Sequence, residues 1–153
     1  MDPKFKAIDH GWEKLVKSMR KYANGKAAIV RAHGPNAENA ATHEFGTRDG
    51  RIPERSFFRR TFDDKMQGYQ VEISKIASKF FGNETIEGSL FFLGEQYRSD
   101  ILDLVRQGQV TPGLSDSTLE QRSGGRSTPL WDTGEMMGSL QTIILDRSKV
   151  KND

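Results

Sequence analysis

The triplet Asp132–Thr133–Gly134 is the sequence feature closest to a catalytic motif, because aspartic proteases carry these three residues in two loops. Two such loops in a dimer would let two carboxylates share a proton. In those enzymes the triplet lies between apolar strands, whereas here Glu135 follows it. The segment through Met136 and Met137 predicts one helical turn, with Asp132 or Thr133 as its cap. A hydrolase built around Asp132 is therefore only a third hypothesis.

Histidines could bind a metal or act as a base, and the chain has three, His10, His33 and His43. None has a histidine partner at the i, i+4 spacing of a helical zinc pair. His43–Glu44 also lacks the second histidine of the zincin motif, and hydrogen bonding at the end of an element is the simpler interpretation. No serine lies in a Gly-x-Ser-x-Gly elbow, and Gly124–Gly125 has no lysine-bearing phosphate loop. We expect a protein that is not an enzyme and needs no cofactor or metal.

The densest group of cations is Arg55, Arg59 and Arg60, with Arg48 and Arg51 in the preceding loop. Such a cluster could bind nucleic-acid phosphates without sequence specificity and line a DNA passage in a ring. It could equally be the solvated start of a helix. A third interpretation, which we prefer, pairs these guanidinium groups with carboxylates of a neighbouring subunit.

Phe57 and Phe58 stand between these arginines. Consecutive residues cannot share one helical face, so one phenylalanine is predicted to pack inward while the other projects outward as an interface anchor. Burial of both, through a non-helical start, is the alternative. The sequence thus predicts an assembly interface of Arg48, Arg51, Arg55, Phe57, Phe58, Arg59 and Arg60.

Three blocks of sequence resemble phage neck and tail-completion proteins, small virion proteins that join head to tail. They are HEFGT at 43–47, IPERSFFRRTFD at 52–63, and a C-terminal block made of TPGLSDSTLEQR at 111–122 and PLWDTGEMMGSL at 129–140. The resemblance includes the group related to minor tail protein Z of lambdoid phages, with the threonine–glycine segment after the EFGT segment instead of before it.

This resemblance implies an α+β ring protein with six-fold or related symmetry and no cofactor. Its partners would be other neck, connector, tail-tube or tail-terminator proteins, with possible nonspecific contact with channel DNA and none with a membrane. It would lie in the neck or tail of the virion, and in the host cytoplasm during assembly. The main rival is a DNA-binding accessory protein that uses Arg55, Arg59 and Arg60. The matched positions, with implied roles in folding and assembly, are Glu44, Phe45, Gly46, Pro53, Arg55, Phe57, Phe58, Arg59, Leu130, Asp132, Thr133, Gly134 and Leu140.

Length and composition are compatible with one domain spanning residues 1–153. The 23 basic and 21 acidic residues give a net charge of +2, so the whole chain is not a basic DNA-binding surface. Without cysteine it has no disulfide or thiol chemistry, which fits a reducing cytosol. No secretion signal or apolar run of membrane length is recognisable, so we expect a soluble protein.

Hydrophobic periodicity predicts the elements that must position these residues. Apolar residues from Phe5 to Tyr22 recur at steps of three and four and predict an N-terminal helix. A strand is expected over 26–33, a short helix over 37–45, and a polar loop over 46–51. Two long amphipathic helices follow, from a cap at Ser56 to Gly82 and over 85–107, and should pack as a hairpin.

The C-terminal third has a different character. Helical turns are predicted over 115–122 and a flexible loop over about 123–129. Leu140–Leu145 predicts a strand that pairs with the strand near Ile29, before a charged tail at 146–153. The predicted fold is α+β: an N-terminal helix and a long helical hairpin packed on a small antiparallel sheet.

Overall fold

A computed structural model describes residues 25–80, 86–122 and 127–146. The described residues form an α+β fold, as the sequence predicts. The strands are β1 (Lys26–Ala32) and β2 (Leu140–Asp146). The helices are α1 (Asn36–Phe45), α2 (Phe57–Phe80), α3 (Ile86–Arg106), α4 (Asp116–Gln121) and α5 (Glu135–Gly138). The predicted N-terminal helix and the tail beyond residue 146 lie outside the described residues.

The two strands form an antiparallel sheet in which the N-terminal strand of the described chain pairs with the last one. Ile29 lies opposite Ile143, and Ala32 lies opposite Leu140. This confirms the predicted pairing. Because a two-stranded sheet is marginal by itself, it needs a packed partner on at least one face.

Helix α3 supplies that partner by packing against both strands, while its other side packs against α2. The close approach to the sheet depends on Gly94, which is buried against the Thr142 methyl group and Ala28. A Cβ atom at position 94 would overlap the Thr142 Cγ2 atom. Glycine is therefore required where α3 crosses the sheet.

Two tyrosines fix α2 and α3 as a hairpin. The Tyr69 hydroxyl donates to Asp100 Oδ2 at 2.7 Å, and the Tyr97 hydroxyl donates to the Phe58 carbonyl at 2.8 Å. The two rings meet edge to face with their centroids 5.8 Å apart. Burial raises the pKa of both hydroxyls above the usual tyrosine range, which favours the protonated forms that donate these hydrogen bonds.

The hydrophobic core lies where α3, the sheet, the start of α2 and the C-terminal turns meet. Its buried residues are Ala32, Ala40, Phe57, Ile101, Leu104, Val105, Val110, Leu130, Met137 and Leu140. Burial of Ile101, Leu104 and Val105 on one face of α3 agrees with the period of the sequence. The apolar face predicted for α2 is only partly buried, since Phe62 and Ile73 are exposed.

Gly46 ends α1 with a φ of 71° and a ψ of 175°, a positive φ of the kind that glycine adopts where a helix ends before a polar loop. A Cβ atom there would also lie 2.8 Å from the Glu54 backbone nitrogen. We expect Gly46→Val to lower the free energy of unfolding by at least ~1 kcal/mol, because backbone strain and a clash act together. Chemical denaturation measures it. Gly50 shares the positive φ but has open space around it, so Gly50→Val should cost less; equal losses would contradict the clash.

Candidate assembly surface

The blocks that carry the resemblance meet first at the N-terminus of α2. Glu44 is buried near the end of α1, and its carboxylate accepts hydrogen bonds from the backbone N–H groups of Phe58 at 2.8 Å and Arg59 at 3.1 Å. Free N–H groups and the positive end of the helix dipole favour a carboxylate there. The predicted cap, Ser56, is replaced in this role by Glu44. The first block therefore caps the helix of the second.

Arg55 links the second block to the C-terminal block. It is 5% exposed, and its guanidinium group donates from Nε to the Pro112 carbonyl at 2.8 Å and from an Nη to the Gly113 carbonyl at 2.9 Å. Its backbone N–H donates to the His43 carbonyl at 2.7 Å. The prediction that Arg55 belongs to an exposed interface is therefore wrong: its planar fork of donors holds a turn of its own chain.

Arg122 holds the two halves of the C-terminal block together. It donates to the Thr128 carbonyl at 2.8 Å and to the Trp131 carbonyl at 3.3 Å. Trp131 also lies beneath the Arg106 guanidinium group, 5.2 Å from the ring centroid. Leu130, the residue before Trp131, is buried and has a φ of 66°, a strained conformation for a residue with a side chain. We use the name motif junction for Glu44, Arg55 and Arg122 with the groups that they bind.

The Asp132 triplet forms a surface turn beside the motif junction. The N-cap of α5 is Gly134, with a φ of 85° and no side-chain cap, while the Thr133 hydroxyl accepts a 3.3 Å hydrogen bond from the Glu135 N–H. The prediction that Asp132 or Thr133 is the helix cap is therefore wrong, because Gly134 occupies the cap position, although Thr133 still contacts the helix start. Asp132 is exposed and has a carboxylate oxygen 4.0 Å from Arg122 Nε.

Four of the five predicted interface arginines lie nearer the surface. Arg48 and Arg51 are exposed in the loop after α1, and the Arg51 side chain is 87% accessible while paired with Asp49. Arg59 forms an exposed ion pair with Glu54. Arg60 is half-buried and donates to the Gln109 carbonyl at 2.7 Å. These side chains, Arg48, Arg51, Arg59 and Arg60, form the cationic rim.

The two phenylalanines differ in burial, although Phe58 also packs against the edge of the core and its ring centroid lies 4.6 Å from that of Phe57. Phe57 is fully buried in the core, whereas Phe58 is half-buried and faces an apolar groove of about 700 Å³. Phe45 stands at the same groove with 71% of its surface exposed. An exposed aromatic beside an apolar groove is typical of an interaction site. Pro53 is exposed in the approach to α2, and Leu140 is buried at the start of β2.

His43 lies beside the motif junction with its Nδ1 atom buried, and no hydrogen-bond partner for that atom is found among the described residues. Burial, followed by repulsion from Arg55 and Arg122, lowers its pKa below 6.5. As the pH falls below 6.5, the His43 imidazole of the unfolded chain becomes protonated before that of the folded chain. The free energy of unfolding therefore falls as the pH falls.

We expect His43→Asn to weaken the loss of stability between pH 7 and pH 5.5, because it removes this titrating group. Thermal unfolding at several pH values measures the slope. The same substitution at the exposed His33 is the control and should leave the slope unchanged. A wild-type slope in His43→Asn would show that other groups cause the acid sensitivity.

Comparison of the chain with protein-family models, curated proteins and solved structures finds no match. Within residues 25–80, 86–122 and 127–146, no three side chains of histidine, aspartate or glutamate are grouped to hold a metal ion. None of the helices in these ranges is both long and apolar enough to cross a bilayer.

Sequence reasoning missed the partners in the motif junction. The tertiary cap comes from Glu44, which precedes Phe58 by fourteen positions, and only the fold brings the two together. Pro112 and Gly113 are typical turn residues, and nothing in their side chains marks their carbonyls as acceptors for Arg55.

Proposed function

We propose that this chain is a structural virion protein of the phage head–tail connector, a tail-completion or neck subunit that assembles as a ring and joins tail to head. The motif junction carries the proposal. Its polar contacts run from the first block to the second through Glu44, and from the second to the C-terminal block through Arg55. These contacts join the three blocks into one structural unit, and we assign to that unit the folding and assembly role that the resemblance implies.

The cationic rim supplies the proposed contact with a neighbour. It lies around the start of α2, and Arg48 and Arg51 project from a loop that is itself well fixed. The Ile52 N–H donates to the Thr47 hydroxyl at 2.9 Å, and the Thr47 N–H donates to the Ile52 carbonyl at 2.9 Å. A fixed loop loses little conformational entropy on binding. Contact between this rim and a different face of the next copy would be heterologous, the type that closes into rings.

A DNA-binding accessory protein is the alternative function. Its support is weaker because two of the three arginines that would bind DNA already bind carbonyl groups of their own chain. Of the cluster Arg55, Arg59 and Arg60, Arg55 binds carbonyl groups inside the chain, and Arg60 binds the Gln109 carbonyl. Phosphate binding depends on several accessible cations and falls steeply with added salt. Strong, salt-dependent binding of duplex DNA by the purified protein would favour this alternative.

A phage that lacks the gene for this chain tests the proposed function. We expect its lysate to contain separate filled heads and separate tails by electron microscopy, and the gene supplied in trans to restore joined particles. Normal numbers of joined, infectious particles without the gene would contradict a role in joining.

A further inference from the structure

In the part of the chain that the structure describes, one edge of strand β1 is unpaired. Among these residues β1 pairs with β2 alone. The backbone N–H and C=O groups of a strand alternate in direction, so half of those in β1 point away from β2. An unpaired strand edge is a template for another extended chain. The apolar groove lies beside this edge, since Val30 and Ala32 are among its lining residues.

One hydrogen bond at the end of β1 shows which residues point towards the unpaired edge. The His33 N–H donates to the Ser139 carbonyl at 3.1 Å, so His33 bonds towards β2. Bonded and non-bonded pairs alternate along an antiparallel ladder. Arg31, two positions earlier, therefore also bonds towards β2, whereas the backbone groups of Val30 and Ala32 point away from it. The described residues supply no hydrogen-bond partner for these groups.

The groove beside this edge suits an extended chain. Helix α1 borders the groove with the small side chains of Ala37 and Ala41, and the helical hairpin contributes the rings of Phe58, Phe62 and Tyr97. A helix would cover these apolar groups, but its backbone is already hydrogen-bonded internally and cannot pair with a strand edge. The combination of apolar walls and a free strand edge therefore selects an extended peptide segment.

The pleat of β1 determines which side chains such a segment needs. Successive side chains point to opposite faces of a strand. Ala28 lies against Gly94 of α3, so Val30 and Ala32 face the hairpin and Arg31 faces the other side. In an added strand, the residues level with Val30 and Ala32 would also face the hairpin. Apolar side chains therefore suit every second position, and the residue between two of them would stand beside Arg31.

The position beside Arg31 favours a carboxylate. Arg31 is exposed at the groove, and no carboxylate of a described residue pairs with it. Arg59, the other cation that lines the groove, is already paired with Glu54. The carboxylate of Glu44 accepts from two N–H groups at the start of α2 and is not available to Arg31. Opposite charges directly across two strands attract, whereas like charges repel.

We propose that β1 binds an extended segment of a partner protein as a third strand of the sheet, with apolar side chains against the hairpin rings and a carboxylate beside Arg31. The backbone groups of Val30 and Ala32 bond to this segment, and the ladder to β2 is unchanged. The contact goes beyond the proposed function, because it requires neither a ring nor a role in joining heads to tails.

Hydrogen exchange of the full chain, followed for single amides by NMR, tests whether the edge is free. The Val30 amide should exchange at least about tenfold faster than those of Ile29 and Arg31, which bond to β2. Protection of Val30 that grows with protein concentration would assign the edge to a second copy. Protection at every concentration would assign it to the chain itself. Either result would overturn the proposal.

A labelled peptide that alternates valine with threonine, and has aspartate in place of its central threonine, tests binding. Fluorescence anisotropy should show saturable binding that weakens by about fivefold when lysine replaces the aspartate. Arg31→Glu should reverse this preference. Lys65→Glu, on the exposed surface of α2, makes the same change in net charge and should keep it. The proposal fails if neither peptide binds, or if Arg31→Glu keeps the wild-type preference.

Methylated peptide nitrogens separate strand addition from apolar contact alone. Methylation of every second nitrogen blocks the hydrogen bonds along one edge of a strand and leaves its side chains in place. One peptide is methylated at the valines and a second at the residues between them. Because main-chain hydrogen bonds supply the affinity of an added strand, one of the two should bind like the parent peptide and the other should lose binding. Equal affinities of the two would show that no strand is added.

Discussion

Arg55→Ala should lower the free energy of unfolding by about 3 kcal/mol or more, a large share of the stability of a typical domain. The guanidinium group is 5% exposed and donates to two carbonyls of the turn at 112–113. Its removal leaves both acceptors unpaired in a cavity that water reaches poorly. For a chain of this length, such a loss corresponds to a fall in melting temperature of roughly 6–12 °C, which calorimetry measures.

Two variants separate this effect from loss of charge. Arg59→Ala removes a cation four positions later, but its side chain is half-exposed in an ion pair with Glu54, so the cost should stay below about 1 kcal/mol. Arg55→Lys keeps the charge without the planar fork and should fall between the two. Equal stability of Arg55→Ala and Arg59→Ala would contradict the structural role of Arg55.

Charge reversal at the cationic rim should instead leave the fold intact and prevent assembly. Arg48→Glu with Arg51→Glu alters two exposed side chains, and exposed charges contribute little to stability. Like charges at the proposed contact would cost several kcal/mol and lower the affinity for the neighbour by orders of magnitude. We expect a normal circular dichroism spectrum and, in a phage carrying the variant, filled heads separate from tails.

The control for that experiment reverses two charges away from the rim, with Lys65→Glu and Lys75→Glu on the exposed surface of α2. This pair changes the net charge by the same amount and should allow joining. Wild-type yields of joined particles from the Arg48–Arg51 variant would remove the rim from the assembly surface.

The sequence predicts the α+β fold and its elements because each has a local signal. The helical hairpin follows from apolar periodicity and a glycine at its end, and the strand pair follows from two short apolar runs. The different burial of Phe57 and Phe58 is likewise predictable, because consecutive residues on a helix face different directions; the interface role of Phe58 stays a prediction. The positive φ of Gly46 follows from its place between an element and a polar loop.

The motif junction could not be predicted, because its contacts join distant parts of the chain. The sequence shows Arg55 as one member of a cationic cluster, and exposure is the ordinary state of arginine. Only the tertiary fold brings the Pro112 and Gly113 carbonyls within 3 Å of its guanidinium group. Similarly, Ser56 has the right position and chemistry for a local cap, but the carboxylate of Glu44 reaches the same helix end from another element.

The native mass of the purified chain, alone and mixed with the portal or tail tube of its phage, tests the proposed ring most directly. We expect one discrete species at a fixed multiple of the single-chain mass, six-fold or related, alone or once the partner is added. The Arg48→Glu, Arg51→Glu variant should remain at the mass of one chain in both samples. A wild-type chain that stays monomeric at high concentration and binds neither partner would contradict the account.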